Sequence, residues 1–515
     1  MSIVNAVALT AARSAGHHIR YFRQGALVGL SLSQLDVLAQ RAARLLHDLG
    51  LRPGDRLGIL ARNGIEWVLL DLAAIKLGVV TAGFEWGKFP SVRPLLARYG
   101  LKAYYSDAPA DNDAAQAAEG VNVRAALAAL LEDESALHGA PDAGMPVMTY
   151  GPRDVTTLKF TSGSTGEPKG LAATVGSIDS SLYAAQSLFS HAAADSLLVF
   201  MPLSLLQQRY WIYSALVFGH DVTVAPFEFA LEAARLVQPT VVMGVPGFYE
   251  SLKRQAERQL GGGTALAERR ECLRSLLGSR VRYMWTGSAP ANPDTLAFFN
   301  EADFPVYEGY GMNETCIVTK NGPGSARAGS VGRVMPNKRL RLDEQGVLIV
   351  GSDYPVNTRY AYCGEGDNEK TFLPGGEVRT GDLARIDEDG FLYILGRADD
   401  VIVLANGRNI HTRHVEERIK SHPEVAECVL FGAGRAYLVA VVSPAAGAPD
   451  VAAIQRHIQG VNEAASADER VVKSLILSEP ITVDSGLLTS QFKPRRKEIF
   501  RTFRGQIENL YGAAS

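Results

Sequence analysis

Thr161-Ser162-Gly163-Ser164-Thr165-Gly166-Glu167-Pro168-Lys169-Gly170 is the stretch on which the reading of this chain turns. Its ten residues hold three glycines, four hydroxyls and one lysine. Glycine lets the main chain approach a ligand closely, and N–H and O–H donors match the acceptor-only oxygens of a phosphate. The register G-x-x-x-x-G-K-[ST] does not fit it, which argues against an ordinary P-loop nucleotidase. On composition the run is either a phosphate-binding loop or a Ser/Gly-rich surface turn.

Upstream of this run, helix and strand patterns alternate. Ser33 is the expected N-cap of a helix whose apolar residues recur at Leu35, Leu38, Ala42, Leu45, Leu46 and Leu49, with Gly50 at its end. Arg56–Leu60 reads as a strand, Gly64–Leu77 as a helix closed by Gly78, and Val79-Val80 as the start of the next strand. That alternation predicts βαβ units and a largely parallel sheet. Residues 106–150 read as surface connection with one helix near Val123–Leu131, and Asn321–Ser330 reads as a loop. Short alternating runs between Arg339 and Tyr393 suggest antiparallel strands. Beyond Gly396 the pattern becomes a compact α+β unit, with a helix from Thr412 to Ser421, strands at Val425–Phe431 and Ala436–Val442, and a helix near Val451–Gln459. The boundary is expected at Arg397–Asp400, dividing the chain into residues 1–396 and 397–515.

The 515 residues carry 52 Lys+Arg against 55 Asp+Glu, a formal charge of −3, with 47% hydrophobic residues. Length alone suggests about three domain-sized units. The composition excludes wholesale disorder and fibrous architecture, and the balanced charge removes the electrostatic argument for a nucleic-acid partner or a basic membrane-surface patch. Cys272, Cys316, Cys363 and Cys428 are far apart, which suits reduced thiols in a cytoplasmic protein. The N-terminus lacks the pattern of a signal peptide, and the longest apolar region, Trp67–Phe84, is interrupted by Asp71 and Lys76, so no transmembrane segment is expected. His411, His414 and Glu417 have no evident further ligands and read as the start of a surface helix.

The Thr161–Gly170 run resembles the phosphate loop of the adenylate-forming superfamily: acyl-CoA synthetases, non-ribosomal peptide adenylation domains and luciferases. Further motifs follow in family order. Thr286-Gly287-Ser288-Ala289-Pro290 resembles the turn beside the adenine, and Tyr310-Gly311-Met312-Asn313-Glu314-Thr315 resembles Y-G-x-T-E. Arg379-Thr380-Gly381-Asp382 resembles R/Y-T-G-D, and Gly396-Arg397-Ala398-Asp399-Asp400 the interdomain G-R-x-D-D. Gly486–Lys497 resembles the terminal segment that carries the family's catalytic lysine, here Lys493.

The resemblance implies an α/β fold: a large N-terminal domain of parallel αβαβα sheets with a small antiparallel β subdomain, and a small mobile α+β C-terminal domain. It implies ATP and Mg²⁺, with CoA or a carrier-protein phosphopantetheine as thiol. Thr161, Ser162, Gly163, Ser164, Thr165, Gly166 and Lys169 would hold phosphates. Gly287, Ser288, Ala289, Tyr310, Gly311, Met312 and Asn313 would surround the adenine and α-phosphate, Glu314 would ligate Mg²⁺, and Asp382 and Arg397 would hold the ribose. Lys493 would bridge carboxylate and α-phosphate, and Asp399 would be the hinge about which the small domain swings. Gly407, in Asn406-Gly407-Arg408-Asn409, resembles the loop lining the thiol channel and equally suits a hairpin turn.

Met201–Arg209 resembles the P-L-S-H-x-x-E-R segment of long-chain acyl-CoA synthetases, with Leu205 for histidine and Gln208 for glutamate; Asn313 replaces the usual threonine. No acid lies between Met201 and Leu216 to pair a substrate amine, and an unpaired ammonium in an apolar pocket is costly. The expected substrate is a hydrophobic acid, a medium or long fatty acid, with Leu205, Tyr210, Trp211 and Phe248 among the acyl-pocket candidates, beside Trp86 and Met312. The expected reaction is acyl-CoA synthesis. An acyl-AMP ligase loading an acyl carrier protein is the alternative, and a non-catalytic nucleotide-binding relative the third reading.

Overall fold

The computed structural model describes residues 2–9, 16–111, 120–133, 135, 147–161, 169–261, 265–289, 291–488 and 494–512. The chain divides into two compact units, Met1–Arg339 with Val350–Val378, and Leu340–Ile349 with Arg379–Ser515. This cut falls earlier than the expected 396/397 boundary. The reason is local bonding: Thr380 Oγ1 donates to Leu348 O at 2.9 Å and Ala384 N to Gly346 O at 3.0 Å, which ties the start of the strand Glu377–Ile386 to residues 346–348.

The first unit holds two sheets. One runs, in spatial order, Tyr360–Tyr362, Lys169–Thr174, Val155–Thr161, Val80–Phe84, Arg56–Leu60, Ala103–Ser106 and Val121–Asn122. The other runs Arg333–Val334, Cys316–Lys320, Val306–Met312, Tyr283–Thr286, Val241–Met243, Ser196–Val199, Asp221–Val224, His18–Arg23 and Ala26–Ser31. Most pairs are parallel, as the βαβ alternation predicts; the antiparallel ones are those of Lys169–Thr174 with both its neighbours, those beyond Val306–Met312, and the His18–Arg23/Ala26–Ser31 hairpin.

The helix Ile65–Leu77 shows why the Trp67–Phe84 region is so apolar. Every residue of this helix except Glu66 is buried, and it shares one core cluster with Leu57 and Ile59 of the first sheet and Val199 and Met243 of the second. A helix covered on all sides needs no polar stripe. Gly64 and Gly78 bound it, and Gly78 adopts the left-handed conformation expected of a closing glycine. The preceding helix, Leu32–Asp48, is capped by Ser31 rather than Ser33: the Ser31 hydroxyl accepts from Gln34 N while the Gln34 side chain accepts from Ser31 N. A reciprocal capping box outweighs a lone serine two residues in. Among the described residues no helix is long and apolar enough to cross a membrane.

In the second unit, strands Val425–Phe431 and Leu438–Pro444 pair antiparallel, and Val471–Ile476 joins the latter in parallel. Alternation along Val425–Phe431 sends Cys428 and Leu430 into one core with helices Thr412–Lys420 and Val451–Glu463, and Val429 and Phe431 into another with Ile499 and Ile507. The sheet is thus covered by helices on both faces.

Candidate active site

In the first unit the site is built where strand Val306–Met312 turns into Cys316–Lys320. A Cβ on Gly311 would lie 2.1 Å from Cys316 O, and one on Gly287 would lie 3.1 Å from Gly309 O. Glycine is required at Gly311 because the turn folds back onto itself there. Ser288 takes a positive φ of 70° in the turn after strand Tyr283–Thr286, beside Ala289; Pro290 lies outside the described residues. Tyr310 pairs with Thr319 across a bulge and is half-buried, as are Met312 and Asn313.

Glu314 is 6% exposed, so its carboxylate needs partners. The Tyr360 hydroxyl donates to Glu314 Oε1 at 2.7 Å. Burial, and then the nearby Glu314 charge, push the Tyr360 phenol upward, so it stays a donor. Asn357 Nδ2 donates to the main-chain oxygens of Asn313 at 3.3 Å and Glu314 at 3.2 Å, and the Lys159 ammonium donates to Asn313 O. Carbonyls held from behind leave the turn fixed. A hard carboxylate on such a turn fits Mg²⁺, and Glu314 is the residue that would hold it.

Lys159 is buried in strand Val155–Thr161, and burial pushes its ammonium down to about 8. Lys338, also buried, donates to Ser352 Oγ at 2.8 Å, and burial lowers it too. Arg209 pairs with Asp71 at 2.7 Å and lies 5.0 Å over the Trp67 ring. Lys169 pairs with Asp367 at 3.0 Å, with Tyr360's ring 5.0 Å from its ammonium. Lys159 and Lys338 are therefore buried cations close to the turn, while the Arg209 charge is met by Asp71.

The acyl candidates divide. Leu205 is half-buried at the start of helix Leu206–Ser214. Tyr210 is buried, and its phenol accepts from the Cys316 thiol at 3.6 Å, placing it behind the Glu314 turn. Trp211 packs in the core, 5.4 Å from Trp285 and 5.6 Å from His191. Phe248 belongs to a second cluster with Phe200, 4.5 Å away.

In the second unit, Asp382 and Arg397 are register partners on adjacent strands. Arg397 Nη1 donates to Asp382 Oδ1 at 3.3 Å and to Thr380 O at 3.2 Å, and Asp382 N donates to Thr380 Oγ1 at 3.0 Å. The Asp382 carboxylate and the Arg397 guanidinium are thus held side by side. The short 3-10 helix Ala398–Asp400 follows; the Asp399 side chain lies outside the described residues, while Asp400 pairs with Arg496 at 3.4 Å. Gly407, at φ 79°, closes the hairpin joining Val401–Val403 to Asn409–His411, and Asn406 Nδ2 donates to Asp468 Oδ1 at 2.9 Å.

Ser162, Gly163, Ser164, Thr165, Gly166 and Lys493 lie outside the described residues, as does the Thr161 side chain. Leu488 and Pro494 form an isolated antiparallel bridge. Sequence reasoning missed Lys159, Asn357 and Tyr360. Lys159 had a signal, a lysine inside an apolar strand two residues before the glycine-rich run; Asn357 and Tyr360 had none, being more than forty residues from the glutamate they serve.

The AMP-binding enzyme family model matches residues 9–352, and that of the AMP-binding enzyme C-terminal domain matches 399–515. The long-chain-fatty-acid–CoA ligase FadD15 of Mycobacterium bovis is 29% identical over 92% of this chain and 90% of its own length. The carboxylic acid reductase of Mycobacterium tuberculosis is 26% identical over 91% of this chain and 45% of its own length. The structure of ATP-bound MatB from Rhodopseudomonas palustris superposes with a TM-score of 0.79 at 20% identity, covering 98% of this chain and 99% of that one.

Proposed function

Because the chain belongs to the AMP-binding enzyme family of adenylate-forming acid–thiol ligases, we propose that it activates a hydrophobic carboxylic acid, a medium or long fatty acid, with ATP and passes the acyl group to the thiol of CoA. The observation that carries this reading is the buried Glu314 carboxylate on a turn whose carbonyls are held by Lys159 and Asn357. The long-chain-fatty-acid–CoA ligase relative supports the acid and the acceptor.

In the first half-reaction a carboxylate oxygen bonds to the α-phosphorus of ATP and the bond to pyrophosphate breaks. Two anions meet, so the site's work is charge compensation. Magnesium bound at Glu314 would supply positive charge on the phosphate side. Lys493 would bridge the two anions, the Thr161–Gly166 loop and Lys169 would hold the departing phosphates, and Tyr310 would lie against the adenine. Asp382 would accept from the ribose hydroxyls while Arg397 donates to the same sugar. In the second half-reaction the thiol sulfur bonds to the acyl carbon, its proton leaves to solvent, and AMP departs. Lys493 must withdraw for the thiol to enter, which gives Asp399 its hinge role and Gly407 its place along the thiol path. The four free thiols support a reducing, cytoplasmic setting.

The test is mass spectrometry of products after incubation with ATP, Mg²⁺, CoA and a mixed carboxylic-acid library. Acyl-CoA from fatty acids is the expected result. Acyl-AMP accumulating without thioester would move the acceptor to a carrier protein, and no product from any acid would overturn the reading.

A further inference from the structure

Lys159 is 3% exposed, in a strand whose neighbouring residue Leu158 is equally buried. Its register partners are Gly83 and Leu171, interior positions where an apolar side chain is the ordinary occupant. A methionine would fill the same space without removing an ammonium from water, a step that costs several kcal/mol unless the charge is well paired. The pairing here is thin. The ammonium has three donors, and the hydrogen bond described for it goes to one main-chain oxygen, Asn313 O.

The charged and titratable groups that face it are Glu314 and Cys316 from the turn, Arg209 from helix Leu206–Ser214, and Lys338. Arg209 is answered by Asp71 and Lys338 by the Ser352 hydroxyl, while Glu314 is held by Tyr360. Among the described residues, this costly cation has no carboxylate paired directly to it. Residues of that kind are kept at functional sites.

Its position supplies the function. The strand Val155–Thr161 runs directly into the phosphate loop, and Lys159 reaches from that strand to the turn bearing Glu314. Asn357 and Tyr360 also hold the turn, but they come from a distant segment. Lys159 thus ties the strand Val155–Thr161 to the turn that carries Glu314. We propose that Lys159 is a positioning residue for metal–ATP binding: it holds the Asn313–Glu314 turn from the strand Val155–Thr161 and places a cation behind it. The inference rests on the adenylate-forming reading of the site.

The experiment compares the parent with Lys159→Met and with Lys159→Gln, which retains a donor. Three quantities are read: calorimetric affinity for the Mg²⁺ complex of a non-hydrolysable ATP analogue, KM values for MgATP and for the acid in pyrophosphate exchange, and the melting temperature without ligand. Lys159→Met is expected to bind the analogue about tenfold more weakly, a change of about 1.4 kcal/mol. KM for MgATP rises in step, KM for the acid stays within about twofold, and the melting temperature holds or rises. Lys159→Gln falls between. Unchanged analogue affinity overturns the inference. So does a KM that moves for the acid alone, which would put Lys159 against the acyl group, or a lower melting temperature with all constants falling together. A parent that binds the analogue yet exchanges pyrophosphate with no acid would sink the catalytic reading, while the affinity comparison would still decide the role of Lys159.

Discussion

Replacing Arg209 by methionine strips the cation from an ion pair in which Arg209 is 1% and Asp71 3% exposed. The guanidinium meets Asp71 Oδ1 at 2.7 Å and donates to Thr157 Oγ1 at 2.9 Å and Thr81 Oγ1 at 3.2 Å. Asp71 also accepts from the Tyr213 hydroxyl. Removing one partner of such a pair costs about 3–5 kcal/mol, because the other charge is left buried. Asp71 keeps Tyr213 as a donor, so Arg209→Met should fall near the lower end, at about 3 kcal/mol. Asp71→Leu should cost about the same, since the guanidinium keeps two threonine hydroxyls and the Trp67 face. Removing both charges together leaves no buried charge uncompensated, only the Tyr213 hydroxyl without Asp71 as its acceptor, so the double variant should cost about 1–3 kcal/mol, well short of the sum of the two single effects. The assay is urea unfolding followed by tryptophan fluorescence. All four tryptophans, Trp67, Trp86, Trp211 and Trp285, lie in the first unit, so the signal reports that unit. Additive single effects would refute the reasoning, and so would single effects under about 1 kcal/mol, the range of an exposed pair.

Glu427 is pushed up to about 7 by burial, with Lys420 at 3.3 Å opposing the shift. Between pH 4.5 and 7 the folded state holds a proton that the unfolded chain has released, so stability falls as pH rises through about 7, by up to about 3 kcal/mol. Glu427→Gln should therefore melt higher than the parent at pH 8 and match it near pH 4.5; a gap independent of pH would contradict this. Tyr360→Phe removes a charged hydrogen bond worth about 1.5–3 kcal/mol and should raise KM for MgATP tenfold or more with the acid KM unchanged. Leu205→Trp should shift preference toward shorter acids in a chain-length series, and an unaltered profile would remove Leu205 from the acyl pocket.

What the sequence made legible was what local physics dictates. Gly50, Gly64 and Gly78 bound helices where expected, and Val425–Phe431 is a strand with the bounds read from its alternation. Ser33 failed as a cap because two serines stood in one turn and Gln34 lay three residues from Ser31, a pairing that decides the start only when the reciprocal bond is seen. The Ile65–Leu77 helix was found by its ends rather than its face, since burial on all sides erased the periodicity. Motif order singled out Glu314, Asp382 and Arg397 as candidates, but the groups that hold the Asn313–Glu314 turn come from residues 159, 357 and 360, brought to it by tertiary structure alone. Tyr210 and Trp211, neighbours on one helix and so about 100° apart, meet different partners, which the sequence does not reveal. The bonds from Thr380 and Ala384 back to residues 346–348, which group those segments in one compact unit, leave no local trace in the sequence, whereas the G-R-A-D-D run is conspicuous.

The most direct test of the central claim is acid-dependent ATP–pyrophosphate exchange by the parent and by Lys493→Ala. The account predicts exchange that requires a hydrophobic carboxylic acid and Mg²⁺, and a loss of about a hundredfold or more in Lys493→Ala with nucleotide binding retained. Exchange at the parent rate in Lys493→Ala, or no exchange by the parent with any acid, would contradict it.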